Sequence, residues 1–209
     1  MKYIITEKQH KLITEQNDNI LDIPFSVFNY DWNLLQTYIK KRGNPLYRLT
    51  GDINLVDYTD IKSLGSLYSV RGTLDLYYLD IESLGMLTSV DGHLILSVTK
   101  KLKSLGNLTS VGESLFLVKS KVESLGNLTS IGGECQMELT PIKTLGNLTS
   151  VGKSLDASGS DLKSFGNLSF VGKNLFLQET PISDKYVFNY KDSEKEIRKK
   201  IQIGEQIYW

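Results

Sequence analysis

The sequence predicts a solenoid of stacked parallel strands, on three observations. A glycine-bearing motif recurs at a fixed pitch, a short alternating apolar segment follows every copy, and the two ends break the pattern with helix-like segments. The motif Leu105-Gly106-Asn107-Leu108-Thr109-Ser110-Val111-Gly112 returns as Leu125 to Gly132 and Leu145 to Gly152, and more loosely as Leu64 to Gly72, Leu84 to Gly92 and Phe165 to Gly172. Its first glycine falls at 65, 85, 106, 126, 146 and 166, so the period is 20 with one step of 21. A repeat of this length is one structural unit that buries its apolar side only by stacking on its neighbours.

The alternating segments are Ile53-Asn54-Leu55, Leu74-Asp75-Leu76, Leu94-Ile95-Leu96, Leu115-Phe116-Leu117, Cys135-Gln136-Met137, Leu155-Asp156-Ala157 and Leu175-Phe176-Leu177. Period-two alternation reads as a strand with one buried face. An eighth strand closes the chain, because Ile203-Gly204-Glu205-Gln206-Ile207-Tyr208-Trp209 follows Val111-Gly112-Glu113-Ser114-Leu115-Phe116-Leu117 position by position. In the coil from Leu115 the inward residues are Leu115, Leu117, Val122, Leu125, Leu128 and Ile131. Twenty residues leave no room for a long α-helix beside a strand and two turns, so the other half of each coil is expected as short 3₁₀ or extended structure. The recurrent glycines point to positive φ or close backbone approach at the turns.

Leu115-Phe116-Leu117-Val118-Lys119-Ser120-Lys121-Val122 and Leu175-Phe176-Leu177-Gln178-Glu179-Thr180-Pro181-Ile182 resemble the short, roughly 20-residue kind of leucine-rich repeat, over residues 49–182 and the final strand. The resemblance implies a leucine-rich-repeat solenoid: one parallel sheet of seven to eight strands, a short 3₁₀ or extended convex side, and partner binding on the strand face. The family's usual asparagine at the strand exit is replaced here by Thr99, Ser120, Thr140, Ser160 and Thr180, whose hydroxyls are expected to bond the turn backbone more weakly. A parallel β-helix is the alternative fold. The near-identical copies and the opening Met1-Lys2-Tyr3-Ile4-Ile5-Thr6-Glu7 also resemble uncharacterised repeat proteins of tailed bacteriophages, which implies an origin rather than an activity.

End coils of a solenoid expose the core and need caps. Residues 1–48 read as a helical N-terminal cap. Thr6-Glu7-Lys8-Gln9 is a capping box before a short helix carrying Leu12 and Ile13, and Asp31 to about Lys41 is a second helix with an apolar stripe of Trp32, Leu35, Tyr38 and Ile39. Residues 49–182 form the solenoid and 183–209 a C-terminal cap. There Ser193-Glu194-Lys195-Glu196 is read as a capping box opening a helix inserted in the last coil, with Ile197 and Ile201 inward and Ile207 and Trp209 closing the sheet.

Lys+Arg and Asp+Glu balance at 24 each, which argues against a dedicated nucleic-acid binder. One cysteine, Cys135, excludes an internal disulfide framework and occupies an inward strand position, where it acts as a small apolar residue. No secretory signal or membrane-spanning run is found, so a cytoplasmic location is expected, of the host or within a virion if the chain is phage-encoded. His10 and His93 have no evident partners for a metal or a triad, and no phosphate loop, zinc spacing or nucleophile elbow occurs. The expectation is a protein that is not an enzyme and carries no cofactor and no metal.

Stacking turns sequence columns into physical rows. Lys62, Glu82, Lys103, Glu123, Lys143 and Lys163 form a charge ladder that serves register and solubility. Asn107, Asn127, Asn147 and Asn167 form a row that also reads as glycosylation sequons; an amide ladder at the turn explains the spacing better. On the outward strand face Tyr77, Ile95, Phe116 and Val118 are expected to cluster, with Phe176 further along, among polar Asp75, Gln136 and Asp156. An exposed apolar group of this kind marks a protein-binding surface. Two other readings are carried: a structural component of a phage particle or similar assembly, and capture of an acidic or nucleic-acid partner by a basic patch of Lys100, Lys101, Lys103, Lys119 and Lys121.

Overall fold

A computed structural model describes residues 6–10, 12–15, 20–185 and 190–209. Among them, eight short strands at Ile53–Asn54, Leu74–Asp75, Leu94–Ile95, Leu115–Phe116, Cys135–Gln136, Leu155–Asp156, Leu175–Phe176 and Ile207–Tyr208 stack in chain order into one parallel sheet. The chain is therefore a parallel β-solenoid, with the register the repeat demands: Leu74, Leu94, Leu115, Cys135, Leu155, Leu175 and Ile207 lie opposite one another along the stack. Their side chains are buried, as are the inward residues two places on, through Leu177.

The other half of each coil is extended, and it does more than connect. Its Ser-Val pairs (Ser89–Val90, Ser110–Val111, Ser130–Ile131, Ser150–Val151, then Phe170–Val171 and Gln202–Ile203) form a second parallel ladder. This ladder continues through Leu67–Arg71, Tyr47–Thr50 and Leu21–Pro24 to an antiparallel pair at Thr14–Glu15, giving a ten-stranded sheet. A third side carries isolated bridges at Ser63–Ser83, Ser104–Ser124 and Thr144–Ser164. Among the described residues 3₁₀ helix occurs at Phe25–Phe28, outside the coils. Expecting a single sheet understated the pairing, and the second ladder is the trait that the alternative, a parallel β-helix, would bring. The physical reason is that stacking at one strand's spacing brings every extended segment of a coil within hydrogen-bond reach of its copy.

Both explanations offered for the glycines hold, at different corners. Gly65, Gly85, Gly106, Gly126, Gly146 and Gly166 have φ between +53 and +61, the left-handed region. Gly132, Gly152, Gly172 and Gly204 are excluded from bearing side chains by space, since a methyl group on any of them would overlap the carbonyl oxygen of the glycine one coil earlier. The serine or threonine two places before each left-handed glycine accepts a bond from that glycine's N–H at 3.0–3.2 Å.

The asparagine row alternates. Backbone N–H groups of Met86, Asn127 and Asn167 donate to the carbonyls of Gly65, Gly106 and Gly146. At the intervening steps the side-chain amides of Asn107 and Asn147 reach the carbonyls of Gly85 and Gly126, at 3.3 and 3.4 Å. Coils are thus tied in pairs by backbone at this corner, and pair to pair by amide. Of the hydroxyls at the strand exit, Thr99, Thr140 and Thr180 donate to the carbonyl three residues earlier at 2.6–2.8 Å. Ser120 and Ser160 are buried and make no such bond.

At the N-terminus α1 (Glu7–His10) begins with the expected box, Thr6 and Gln9 bonding reciprocally, but it ends before Leu12, which is exposed. Helix α2 (Trp32–Lys41) is capped by Asp31, accepting from the Leu34 N–H, and buries Trp32, Leu35 and Ile39 with Tyr38 partly buried. At the other end α3 (Pro181–Asp184) was not foreseen, although Thr180 and Ser183 make a capping box for it. Helix α4 (Tyr190–Arg198) begins before Ser193, so Ser193 is buried within the helix and is not its cap; residues 186–189 lie outside the described residues. Ile197, Ile201, Ile203 and Ile207 are buried and Trp209 partly so, as the final-strand reading requires.

Leu125, 2% exposed at mid-solenoid, tests the inward set. Leu125→Ala is expected to cost about 2–5 kcal/mol in denaturant melts through lost burial and a cavity. Glu123→Ala, at an exposed position two residues away, is expected to leave the melt nearly unchanged.

Candidate functional site

The outward face of the eight-stranded sheet is built by the same alternation that fills the core. Asp75, Ile95 and Phe116 lie on adjacent strands in direct register. Tyr77 and Val118 sit two residues beyond Asp75 and Phe116 on the same face. The structure therefore gathers Tyr77, Ile95, Phe116 and Val118 on three neighbouring coils, Tyr77 at 47% exposure and the others half-buried. Phe176 does not join them. Two strands, carrying Gln136 and Asp156, separate it from Phe116, and its ring stacks on Tyr208 with centroids 4.5 Å apart.

Several residues of this outward column have a local task. Asn54, Asp75 and Asp156 each accept from the backbone N–H two residues on, at 2.9–3.0 Å, which stiffens the strand exit. Ile95 and Phe116 offer no acceptor for that bond. Local structure therefore does not require these apolar side chains, and their burial is incomplete.

Beside the cluster, His93 Nδ1 accepts from the Ser114 N–H at 3.1 Å and Nε2 lies 2.7 Å from Glu113 Oε2, with the ring 5.8 Å from that of Phe116. No motif in the sequence marks this pair. His10 contacts Arg42. Among the described residues no group of three His, Cys, Asp or Glu is placed to hold a metal ion. Cys135 is fully buried, and burial pushes its thiol up to about 12, with Glu138 and Asp156 adding to the effect.

The lysines do not form a bare patch. Lys100 lies over the Tyr78 ring at 4.4 Å and donates to its hydroxyl. Lys101 is 3.5 Å from Asp80 and 3.9 Å from Glu82, and Lys103 is paired with Glu123, whose carboxyl it holds below the usual range. Lys119 and Lys121 are exposed on the next coil. Of the charge ladder, Lys103–Glu123 is the ion pair formed among the described residues. The acids interleaved with Lys101 and Lys103 weaken the case for a polyanion.

Sequence reasoning missed the turn that follows each strand of this sheet. Tyr78, Val98, Lys119, Leu139 and Glu179 have φ between +56 and +63, with Gly159 at +65 in the same row. Tyr78 and Leu139 are 57% and 52% exposed. The lone glycine in that column was the available signal, because it marks a position where the left-handed region is needed.

Fold and face together define a repeat β-solenoid with a locally apolar sheet surface. No protein-family model, no curated protein and no solved structure matches the chain. The likeness to leucine-rich repeats therefore rests on the repeat residues alone, and that to phage repeat proteins on those copies and the opening residues 1–7. No helix among the described residues is long and apolar enough to cross a membrane.

Glu138, on the polar stretch next to the cluster, yields a pH test. Burial raises its carboxyl above the ordinary 4.5, against a backbone hydrogen bond, with Asp156 adding to the rise. A raised carboxyl stabilises the fold fully below the unfolded value and loses that contribution as pH climbs through the folded one. Glu138→Gln is therefore expected to melt higher than wild type at neutral pH. The gain should vanish below about pH 4.5 in thermal melts run across pH.

Proposed function

We propose that this protein is a non-enzymatic binding scaffold that takes a protein partner on the outward face of its eight-stranded sheet. The observation that carries this reading is the apolar cluster of Tyr77, Ile95, Phe116 and Val118 on three adjacent coils, bordered in the outward column by Asp75 on the first of them and by Gln136 and Asp156 on the coils that follow. A locally apolar area on an otherwise polar sheet face is what a partner's aromatic and aliphatic anchors need. The solenoid supplies rigidity: Ile95 and Phe116 stand on strands paired on both sides, and Tyr77 and Val118 on the turns that follow such strands, so little order is lost on docking.

A structural role in a phage particle or similar assembly would cover the same surface permanently, and the compartment, host cytoplasm or virion, goes with that choice. Recovery with purified particles rather than from the free cytoplasm separates the two. Phe116→Asp is the decisive variant. Its side chain points away from the core, so melting is expected to stay close to wild type. Partner capture is expected to weaken at least tenfold, about 1.4 kcal/mol or more. Unfolding by Phe116→Asp would mean the residue is core, and unchanged capture would place the partner elsewhere.

A further inference from the structure

We infer that the ridge of left-handed turns bordering this face, Tyr78, Val98, Lys119 and Leu139, is part of the docking surface and receives an acidic protein segment carrying apolar side chains. The inference rests on the protein-binding reading above and names the chemistry of the partner.

The ridge exists because of the stacking. In the left-handed conformation each turn residue aims its N–H along the solenoid: Tyr78 to the Ser97 carbonyl, Val98 to Val118, Lys119 to Glu138, Leu139 to Ser158 and Gly159 to Gln178. The backbone geometry is thus required, but the side chains are not. Glycine fills the place in the sixth coil with the same φ and the same bond. Elsewhere the row holds tyrosine, valine and leucine, which tolerate this region poorly, a β-branched valine worst of all. Burial does not compensate Tyr78 and Leu139, which are more than half exposed, whereas Val98 is half-buried. A strained, exposed, apolar side chain where glycine suffices points from the outlier towards a contact outside the chain.

Charge selects the partner. Lys119 stands in the apolar stretch, with Lys121 two residues beyond it and Lys100 lying against Tyr78. Acids stand at the equivalent positions on either side, Asp57 one coil before Tyr78, outside the left-handed row, and Glu179 in the row after Gly159. A flat anionic bilayer would meet those acids along with the lysines. A segment spanning about four coils, roughly 15 Å at strand spacing, meets the basic and apolar part of the row, where Asp80 is paired with Lys101 and Glu138 is half-buried. Tyr77, next to Tyr78 with rings 6.2 Å apart, joins the ridge to the strand-face cluster.

The test uses the full chain and a random dodecapeptide library displayed on phage, with phosphatidylserine vesicles as a second probe. The variant is Tyr78→Asn with Leu139→Asn, because asparagine accepts the left-handed region; it is expected to melt at or above wild type. Peptides selected on wild type are expected to place Asp or Glu beside Leu, Phe or Tyr. They should bind at least tenfold more weakly both to this variant and to Lys119→Gln with Lys121→Gln. Selected peptides without acidic residues, or equal binding to the ridge variant, would overturn the inference, as would vesicle binding that the ridge variant abolishes. If Phe116→Asp weakens selected peptides and the ridge variant does not, the ridge fails and the strand-face reading stands. If neither weakens them, both fail.

Discussion

The structure depends on one constraint: every extended segment of a coil must lie one strand spacing above its copy in the coil before. Twenty residues meet it when two strands and the bridging third side turn at fixed places. Once the pitch is set, the axial bonds follow almost residue by residue, from Leu94 N–H to Ser114 carbonyl, Leu115 to Glu134, Cys135 to Ser154 and Leu155 to Asn174. The 21-residue step is absorbed in the turn around Lys100 and Lys101, where the sequence carries one more residue than the coils that follow. Strand pairing on either side of that turn is in register.

The same constraint explains which faces repeat in sequence and which vary. On the ten-stranded sheet nearly every residue of the Gly-Asn-Leu-Thr-Ser-Val-Gly motif is engaged by the stack. Leu and Val fill the core, and the glycines allow turning or close approach. The threonine hydroxyls donate to the preceding copy's carbonyl in an unbroken run from Thr88 through Thr149 to Ser169. That face has little freedom to change. In the outward column of the eight-stranded sheet Asn54, Asp75 and Asp156 bond their own strand exits, whereas Ile95 and Phe116 make no such bond and stand where the backbone leaves a choice. The proposed docking surface lies on the freer face.

The period made the strands, the inward set and even the final strand legible, because Ile203 and Ile207 repeat a spacing found in complete coils. The second sheet was not, since Thr109-Ser110-Val111 has neither the length nor the alternation of an isolated strand; pairing between copies makes it one. Ser193-Glu194-Lys195-Glu196 carries the residues of a cap, but helix α4 already runs from Tyr190, which places Ser193 within it. Of the candidate site, the cluster at Tyr77, Ile95, Phe116 and Val118 was readable from alternation, as was the place of Phe176 further along the same column; its stacking on Tyr208 was not. The ridge at Tyr78, Val98 and Leu139 left one mark in the sequence, Gly159 in its column, because a positive φ at the other residues is imposed by axial bonding and runs against their own preference.

The most direct test of the stacking account is removal of one whole coil. Deleting residues 136–155 joins Cys135 to Asp156 and leaves each column in phase, whereas deleting 136–145 joins a strand to a corner. If nearest-neighbour stacking carries the fold, the whole-coil deletion will keep its β-rich circular dichroism and melt in one transition below wild type, while the half-coil deletion will not fold. Equal behaviour of the two, both folded or both unfolded, would contradict it.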